Sequence, residues 1–259
     1  YVLAALLVLF MSSVVYAAPV GLTSEADATK GELWANENIG ITAGVVVDSL
    51  SSRKIDIDSG DFEMDAYGVR IGASFLDRFN VFVDLGQASD MELSYSMRGE
   101  TVTVKLDDEF MWGIGANALI YRWDNNFELG AHASYRTADM ALDEATVAGV
   151  NWKRSALTGV SDGEFTEAQG AIELAWKQEV LTPYVGLKYS DVEVDAQFTI
   201  APNLYDAKGK DASQNVGAFI GLAITPKLEG EILNENLLIN VEGRFIDEEA
   251  VSVGLAYKF

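Results

Sequence analysis

The 259-residue sequence contains no cysteine and only one histidine, His132. Without cysteine the chain has neither disulfide bonds nor thiol chemistry, which agrees with an exported protein but does not identify a compartment. One histidine and no cysteine also exclude a cysteine nucleophile, a zinc site built on several histidines and a catalytic pair of histidines. The sequence has no glycine-rich phosphate loop either. We therefore expect no cofactor and no metal centre.

Basic residues are also scarce. The chain has 18 Lys and Arg residues against 40 Asp and Glu residues, for a formal charge of −22. Such a chain repels nucleic-acid phosphates, and no cluster of basic and aromatic residues offsets this repulsion, so nucleic acid is excluded as a partner. Many acidic residues fall at strand ends and in longer loops, for example Asp56, Asp58, Asp61, Glu63 and Asp65. They either keep the surface hydrated or bind divalent cations beside anionic lipopolysaccharide, although their spacing matches no calcium-binding loop.

Long apolar runs are confined to the N-terminus. Residues 2–10 are almost wholly apolar, and Val15-Tyr16-Ala17 offers small side chains at the −3 and −1 positions of a cleavage site. This pattern predicts a signal peptide over residues 1–17, cleaved near Ala17. A transmembrane anchor is the alternative, but about 16 apolar residues are short for a span.

The remaining residues, 18–259, are expected to form one domain, with a short periplasmic segment to about residue 37. No stretch in them approaches the roughly 18 consecutive apolar residues of a transmembrane helix, so residence in a membrane requires a barrel. From Ile39 onward the dominant period is two, which is typical of strands with one apolar face. The predicted strands cover residues 39–47, 67–75, 81–85, 112–120, 127–135, 168–176, 185–189, 216–224, 237–245 and 251–259. The fold class predicted is all-β: a closed antiparallel up-and-down transmembrane β-barrel of about ten strands, with 8–12 possible.

The connections alternate in length, as expected when strands run up and down through a bilayer with short turns on one side and longer loops on the other. The predicted short turns are residues 76–80, 123–126 and 181–183, and the predicted loops are residues 48–64, 92–108, 142–163 and 201–214. Two connections depart from this rule. Residues 226–235 are long where a turn is expected, and residues 246–249 are tight where a loop is expected.

Alternation alone also fits a soluble lipocalin-like barrel or a β-sandwich. Two features favour an apolar face that contacts lipid instead of the core of a soluble protein. Glycine is frequent on the less apolar face, where it relieves crowding inside a narrow barrel. Aromatic residues recur beside the short turns, as in an interfacial girdle: Phe75 and Phe79, Trp123 and Phe127, Trp176 and Tyr184, and Tyr257 and Phe259.

The last nine residues, Val251–Phe259, alternate apolar and small or polar side chains and end on phenylalanine. They resemble the terminal strand of bacterial outer-membrane β-barrel proteins, and among these the small porin-like barrels of the outer-membrane protein A type. The resemblance implies that Leu255, Tyr257 and Phe259 form a signal recognised by the barrel-assembly machinery. It also implies location in the outer membrane of a Gram-negative bacterium, with membrane lipids and lipopolysaccharide as partners and a monomer favoured.

With the apolar face turned to lipid, the opposite face lines the lumen. The charged and histidine side chains expected there are Arg70, Asp84, Glu128, His132, Arg136, Glu173, Lys177, Lys188, Glu242, Arg244 and Lys258. Buried charges must pair, because an unpaired ion loses its hydration without compensation. A barrel of this size is only wide enough to be filled by side chains. The set therefore predicts either a structural plug or a narrow, porin-like pore.

His132 and Ser134 share one face of a strand and loosely resemble the His-x-Ser arrangement of the outer-membrane lipid A deacylases. Tyr135 replaces the asparagine that follows serine in that family, and the pair points into the lumen, away from lipid. We expect a histidine held between Glu128 and Arg136, and no enzyme activity. A third hypothesis is an adhesion or ligand-binding barrel that works through residues 142–163.

Overall fold

The computed structural model describes residues 39–57, 60–76, 78–161, 163–195, 197–200, 203–206, 210–211, 213–226 and 236–259. The predicted signal peptide and periplasmic segment lie outside these residues. The described chain is almost entirely strand. Its elements are β1 (Ile39–Ile55), β2 (Gly60–Phe75), β3 (Phe79–Met97), β4 (Glu100–Leu106), β5 (Glu109–Arg122), β6 (Phe127–Met140), β7 (Leu142–Val147), β8 (Val150–Lys153), a 3₁₀ turn (Arg154–Ala156), β9 (Thr158–Ser161), β10 (Gly163–Trp176), β11 (Leu181–Val194), β12 (Gln197–Ile200), β13 (Asn203–Asp206), β14 (Lys210–Asp211), β15 (Val216–Ile224), β16 (Leu237–Phe245) and β17 (Glu248–Lys258).

Ten of these strands close into an antiparallel barrel. Their order is β1, β2, β3, β5, β6, β10, β11, β15, β16 and β17, and β17 pairs with β1 to complete the ring. Each of the ten predicted strands corresponds to one of them, so the predicted fold class and strand number are confirmed. The described part of the chain contains no helix that is long and apolar enough to cross a membrane.

One end of the barrel, which we call the turn end, carries the short connections. Residues 76–78 join β2 to β3, residues 123–126 join β5 to β6, and residues 177–180 join β10 to β11. The prediction of a turn at residues 181–183 is wrong, because these residues begin β11. Pro183 fits there because β11 pairs with β10 only from Tyr184 onward, so the proline removes no hydrogen bond from that ladder.

The opposite end, the loop end, has long strands where the sequence predicted loops. β1 and β2 continue well beyond their apolar segments, and β3 turns through Arg98 and Gly99, both at positive φ, into β4. Two residues at positive φ are typical of a tight type I′ hairpin turn. β4 then pairs with β7, and β7 with β8, while β9, β12 and β13 form a separate sheet. The predicted loops at residues 48–64, 92–108 and 142–163 are therefore largely sheet.

Strand β2 shows why the alternation did not predict the strands at the loop end. Towards the turn end, Val69 and Ile71 face outward and are 46% and 52% exposed. Towards the loop end the same outward face carries acidic residues, whereas Phe62 and Met64 face inward and are buried. The apolar residues thus change from the outer to the inner face near Ala66. The barrel has two zones: a band with an apolar exterior and a polar lumen, and a loop-end zone with a polar exterior and an apolar interior.

The interior of the loop-end zone is a continuous hydrophobic cluster, here called the cap core. Its larger members are Leu50, Ile55, Phe62, Met64, Met91, Leu93, Tyr95, Val102, Val104, Met140, Leu142, Phe165, Val192, Val194, Phe198 and Tyr205. The rings of Phe62 and Phe165 stack at 5.5 Å, and those of Phe198 and Tyr205 at 5.2 Å. Since Phe198 and Tyr205 belong to the separate sheet, that sheet packs against the cap core.

Candidate functional site

Directly beneath the cap core, the lumen is crossed by a set of buried charges that we call the ion cluster. It consists of four cations, Arg53, Arg136, Lys188 and Arg244, and four anions, Asp48, Glu167, Asp247 and Glu248. None of these residues is more than 8% exposed. They project from β1, β6, β10, β11, β16 and β17 and from the turn between the last two strands, so the cluster joins opposite walls of the barrel.

Glu248 is the centre of one half of the ion cluster. Its Oε2 lies 2.6 Å from Arg53 Nη1, and its Oε1 lies 2.5 Å from Lys188 Nζ and 2.7 Å from Arg244 Nε. Arg53 Nη2 also donates to the carbonyl oxygen of Ser190 at 3.1 Å and to its hydroxyl at 3.0 Å. One carboxylate therefore holds three cations from three different strands.

Arg136 connects the other half. Its Nε donates to Glu167 Oε2 at 2.6 Å, and its Nη1 donates to Asp48 Oδ2 at 3.0 Å. The second oxygen of Asp48 lies 3.4 Å from Arg244 Nη2, which joins the two halves. Deleting one partner of such a network leaves a buried charge without compensation, so the pairs are expected to hold together as a unit.

Nearer the turn end, the lumen contains two smaller polar groups. Arg70 forms two 2.8 Å hydrogen bonds to Asp84 and lies 3.9 Å above the ring of Phe82. The Tyr184 hydroxyl is 2.8 Å from Asn240 Oδ1 and 3.0 Å from Glu242 Oε2.

At the mouth of the turn end, Glu128 is buried and contacts two cations. Its Oε1 is 2.6 Å from Arg122 Nε and 3.9 Å from Lys177 Nζ. Lys177 follows β10 in the short turn, and its side chain is 34% exposed.

The predicted lumen residues have the inward orientation that the alternation along the strands predicts. Arg70, Asp84, Glu128, His132, Arg136, Glu173, Lys188, Glu242, Arg244 and Lys258 all face the interior, while Lys177 lies at the mouth. The prediction missed Asp48, Arg53, Glu167, Asp247 and Glu248, which complete the ion cluster. Asp48 and Glu167 each lie one residue outside a predicted strand, so extending the parity of residues 39–47 and 168–176 by one position would have found them. Arg53 follows a β-bulge after Leu50, which shifts the parity and hides its direction.

His132 has different neighbours from those predicted. Glu128 and Arg136 bind other partners, and the imidazole instead places Nδ1 2.7 Å from Asn117 Oδ1 and Nε2 2.9 Å from Ser134 Oγ. An amide oxygen only accepts, so Nδ1 carries the proton and Nε2 accepts from the Ser134 hydroxyl.

Gln169 lies across the ladder from Ser134, is 5% exposed, and its amide makes no hydrogen bond to any described residue. The two hydrogen bonds of His132 connect Ser134, His132 and Asn117 in a row, in the order expected for a serine nucleophile, its base and the group that orients the base. Nothing in the sequence spacing pointed to Asn117, which lies on the neighbouring strand β5.

The predicted assembly signal occupies the closing strand. Leu255 pairs with Val45 and Tyr257 with Ala43 across the seam between β17 and β1. The rings of Tyr257 and Phe259 meet edge to face at 5.1 Å, at the turn end of the barrel. The exposed ring of Phe259 agrees with the predicted girdle position.

On the exterior, acidic residues of β2 and β3 face one another just above the apolar band. Burial, together with the nearby carboxylate of Asp90, raises the pKa of Asp65 to about 6. Burial and the carboxylate of Glu92 raise the pKa of Glu63 in the same way. Among the described residues, no three Asp, Glu or His side chains are grouped closely enough to hold a metal ion. Divalent-cation binding by the acidic segments stays a prediction.

No protein-family profile matches the sequence, and no curated protein matches it. Solved structures do match the fold. The outer membrane protease OmpT from Escherichia coli superposes with a TM-score of 0.50 at 9% identity, over 87% of this chain and 98% of that protein. The translocator domain of the autotransporter NalP from Neisseria meningitidis (TM-score 0.42, 12% identity, 86% and 89% covered) and the outer membrane protein OprG from Pseudomonas aeruginosa (TM-score 0.39, 12% identity, 90% and 98% covered) also match. The chain therefore has the fold of the bacterial outer-membrane β-barrels.

Proposed function

We propose that this protein is a sealed barrel of the bacterial outer membrane with a structural role, rather than a pore. The observation that carries the proposal is the combination of the cap core and the ion cluster, which together fill the loop end of the lumen. A solute on this path would have to separate buried ion pairs and displace packed apolar side chains. Two cavities lined by lumen residues such as Asp48, Arg136, Arg70 and Asn240 measure only about 40 and 30 Å³, enough for a few water molecules.

In this proposal the apolar band lies in the bilayer, the turn end faces the periplasm and the loop end faces outward. Lipid and lipopolysaccharide surround the band, the terminal strand with Tyr257 and Phe259 directs assembly, and the barrel acts as a monomer. The long polar-faced sheets of the loop end then stand above the membrane surface.

Planar-bilayer recordings test the sealed lumen. The wild-type protein is expected to give no discrete current steps, because an ion would have to separate the pairs of the ion cluster and displace the side chains of the cap core. Discrete steps from the folded wild-type protein would contradict the proposal. Heat-dependent migration on a gel verifies that each preparation is folded.

A second candidate function, ester hydrolysis, is favoured by the hydrogen-bonded series Ser134, His132 and Asn117. In such a reaction Ser134 Oγ attacks the carbonyl carbon, and its proton moves to His132 Nε2 and then to the departing alkoxide; water later releases the acyl group. The unpartnered Gln169 amide lies beside Ser134, where it could donate to the oxyanion. Because these groups face the lumen, the candidate substrates are small soluble esters rather than membrane lipids.

A fluorophosphonate probe separates the two candidates. If Ser134 is a nucleophile, the probe labels the folded wild type but neither Ser134→Ala nor His132→Gln. Equal labelling of wild type and Ser134→Ala, or none of either, removes the hydrolase candidate and leaves the sealed-barrel proposal unaffected.

A further inference from the structure

The turn between β16 and β17 holds one residue in an unfavourable backbone conformation. Two residues, Ile246 and Asp247, join these strands, and Ile246 has a φ of 88°. The other non-glycine residues at positive φ in the described chain have φ between 46° and 68°, in or near the left-handed helical region. Ile246 lies outside that region and, of these residues, is the one with a β-branched side chain. Such a residue is strained, so other contacts must hold the turn in place.

The side chain of Asp247 supplies those contacts. It is buried in the ion cluster, where its Oδ2 lies 2.9 Å from Lys188 Nζ and 3.5 Å from Arg53 Nη1 and accepts a hydrogen bond from Ser190 Oγ at 3.1 Å. Gly217 on β15 leaves the space for this carboxylate, because a Cβ on Gly217 would overlap it. The turn is therefore tied inward at the residue that directly follows the strained position.

The turn lies where the wall of the barrel is low. At the loop end, the ladder of β15 and β16 stops at the pair Ala218 and Phe245, whereas β1 and β11 continue into the cap core. Asp247 contacts a cation on each of these two longer strands, Arg53 on β1 and Lys188 on β11. The turn thus closes the gap between β1 and β11 at the level of the ion cluster.

Residues 213–215 cross the same gap above the turn. The Ser190 N–H donates to the carbonyl oxygen of Asn215, and the Ser213 N–H donates to that of Lys54, each at 2.9 Å. Among the described backbone groups, no hydrogen bond joins residues 213–215 to the two residues of the turn. The turn can therefore move outward while this segment stays in place.

We propose that the turn between β16 and β17 is a latch in the barrel wall. In the closed state Asp247 holds the turn against the ion cluster. When the contacts of Asp247 break, relief of the strain at Ile246 favours an outward position, and the ion cluster opens to the side of the barrel beneath residues 213–215. The closed state is the sealed barrel proposed above, and the open state is a less populated conformation of the same chain.

Hydrogen exchange of the folded full chain, measured by mass spectrometry on peptides that contain residues 243–251, reports how often the latch opens. Ile246→Gly removes the strain and should slow this exchange by about fivefold or more. Ile246→Val keeps the branched side chain and should exchange like wild type. Asp247→Asn removes the charge that attracts Lys188 and should speed the exchange by about tenfold or more.

Leu76→Gly controls for the introduction of glycine. Leu76 is also exposed and has a φ of 56°, but it lies in a turn at the opposite end of the barrel, so its replacement should leave the exchange of residues 243–251 unchanged. Exchange in Ile246→Gly as fast as in wild type would overturn the proposal, because strain would then not drive the opening. Unchanged exchange in Asp247→Asn would also overturn it.

A thiol at position 252 tests whether the latch opens the lumen. Ser252 faces the lumen, is 1% exposed and pairs with Asp48 of the ion cluster across the seam. In the purified folded protein, Ser252→Cys should react with a methanethiosulfonate reagent faster when it is combined with Asp247→Asn, and adding Ile246→Gly should slow the reaction again.

Equal reaction rates in these three proteins would overturn the proposal. If the equal rates are fast, the sealed barrel fails together with the latch, and if they are slow, the latch alone fails. Heat-dependent gel migration confirms that every variant is folded.

Discussion

Replacing Arg53 with methionine should destabilise the protein far more than replacing its neighbour Lys54. Arg53 is completely buried, donates to Glu248 at 2.6 Å and to Ser190 at 3.0 and 3.1 Å, and lies within 3.5 Å of two further carboxylates. Its removal leaves excess negative charge in the ion cluster, and breaking a buried pair in this way costs about 3–5 kcal/mol.

Lys54 provides the matched control. It also forms a short ion pair, at 2.7 Å to Asp61, but its side chain is 60% exposed. Exposed pairs contribute about 0.2–1 kcal/mol, so Lys54→Met should have little effect. The two variants therefore remove one cation each from adjacent positions and differ mainly in burial.

Urea titration of the heat-dependent gel shift measures the free energy of unfolding of both variants. A double-mutant cycle with Glu248→Gln adds a second readout, because Arg53→Met and Glu248→Gln together should cost less than the sum of the single changes. If Arg53→Met loses less than about 1 kcal/mol, as expected for an exposed pair, the ion cluster does not act as a buried network.

Three further predictions concern other parts of the barrel. The folded-state pKa of Asp65 is raised to about 6 from an ordinary value of 3.8, so between these pH values the folded protein binds more protons than the unfolded chain, and this residue's contribution to stability falls as the pH rises. Asp65→Asn should therefore be more stable than wild type at pH 8 and similar to it near pH 3, as measured by urea unfolding. Equal stability at pH 8 would contradict the reasoning. Phe165→Ala removes a ring stacked on Phe62 in the cap core and should cost about 3–5 kcal/mol in the same assay, whereas Phe79→Ala, on the lipid-facing exterior, should cost less. Gly86→Ala should lower folding yield, because a Cβ there would lie 2.2 Å from the Tyr67 carbonyl oxygen, while Gly99→Asn, at a hairpin position with φ of 82°, should be tolerated.

The barrel itself could be predicted because one apolar face repeats with period two in each of the ten spanning strands. The cap core could not, because near Ala66 the apolar residues change face while the strand continues. In the sequence, the outward-facing apolar residues stop and acidic residues take their place, which resembles the end of a strand and the start of an acidic loop. Both halves of β2 nevertheless keep the same parity, with Met64 and Arg70 facing the same interior.

The inward direction of a side chain could be predicted where its strand is regular, and could not be predicted beyond a bulge or in a turn. Lys188 and Arg244 follow directly from parity within predicted strands, and Arg136 follows from the parity of the strand that ends one residue before it. Arg53 lies beyond a bulge, and Asp247 lies in a two-residue turn, so neither has a side-chain direction that alternation can give. The partners of His132 were also beyond the sequence, because Asn117 is brought beside it by the register between β5 and β6.

In the proposed barrel the lumen is closed towards the outer surface, and a sequence without cysteine allows a direct measurement. Ser252→Cys places a thiol in the lumen below the cap core, at a position 1% exposed, and Thr101→Cys places one on the exposed β4. With a membrane-impermeant maleimide added to intact cells, Thr101→Cys should be labelled and Ser252→Cys should not, while both should be labelled after unfolding. Labelling of Ser252→Cys from outside at a rate comparable to Thr101→Cys would show an open path and contradict the sealed barrel.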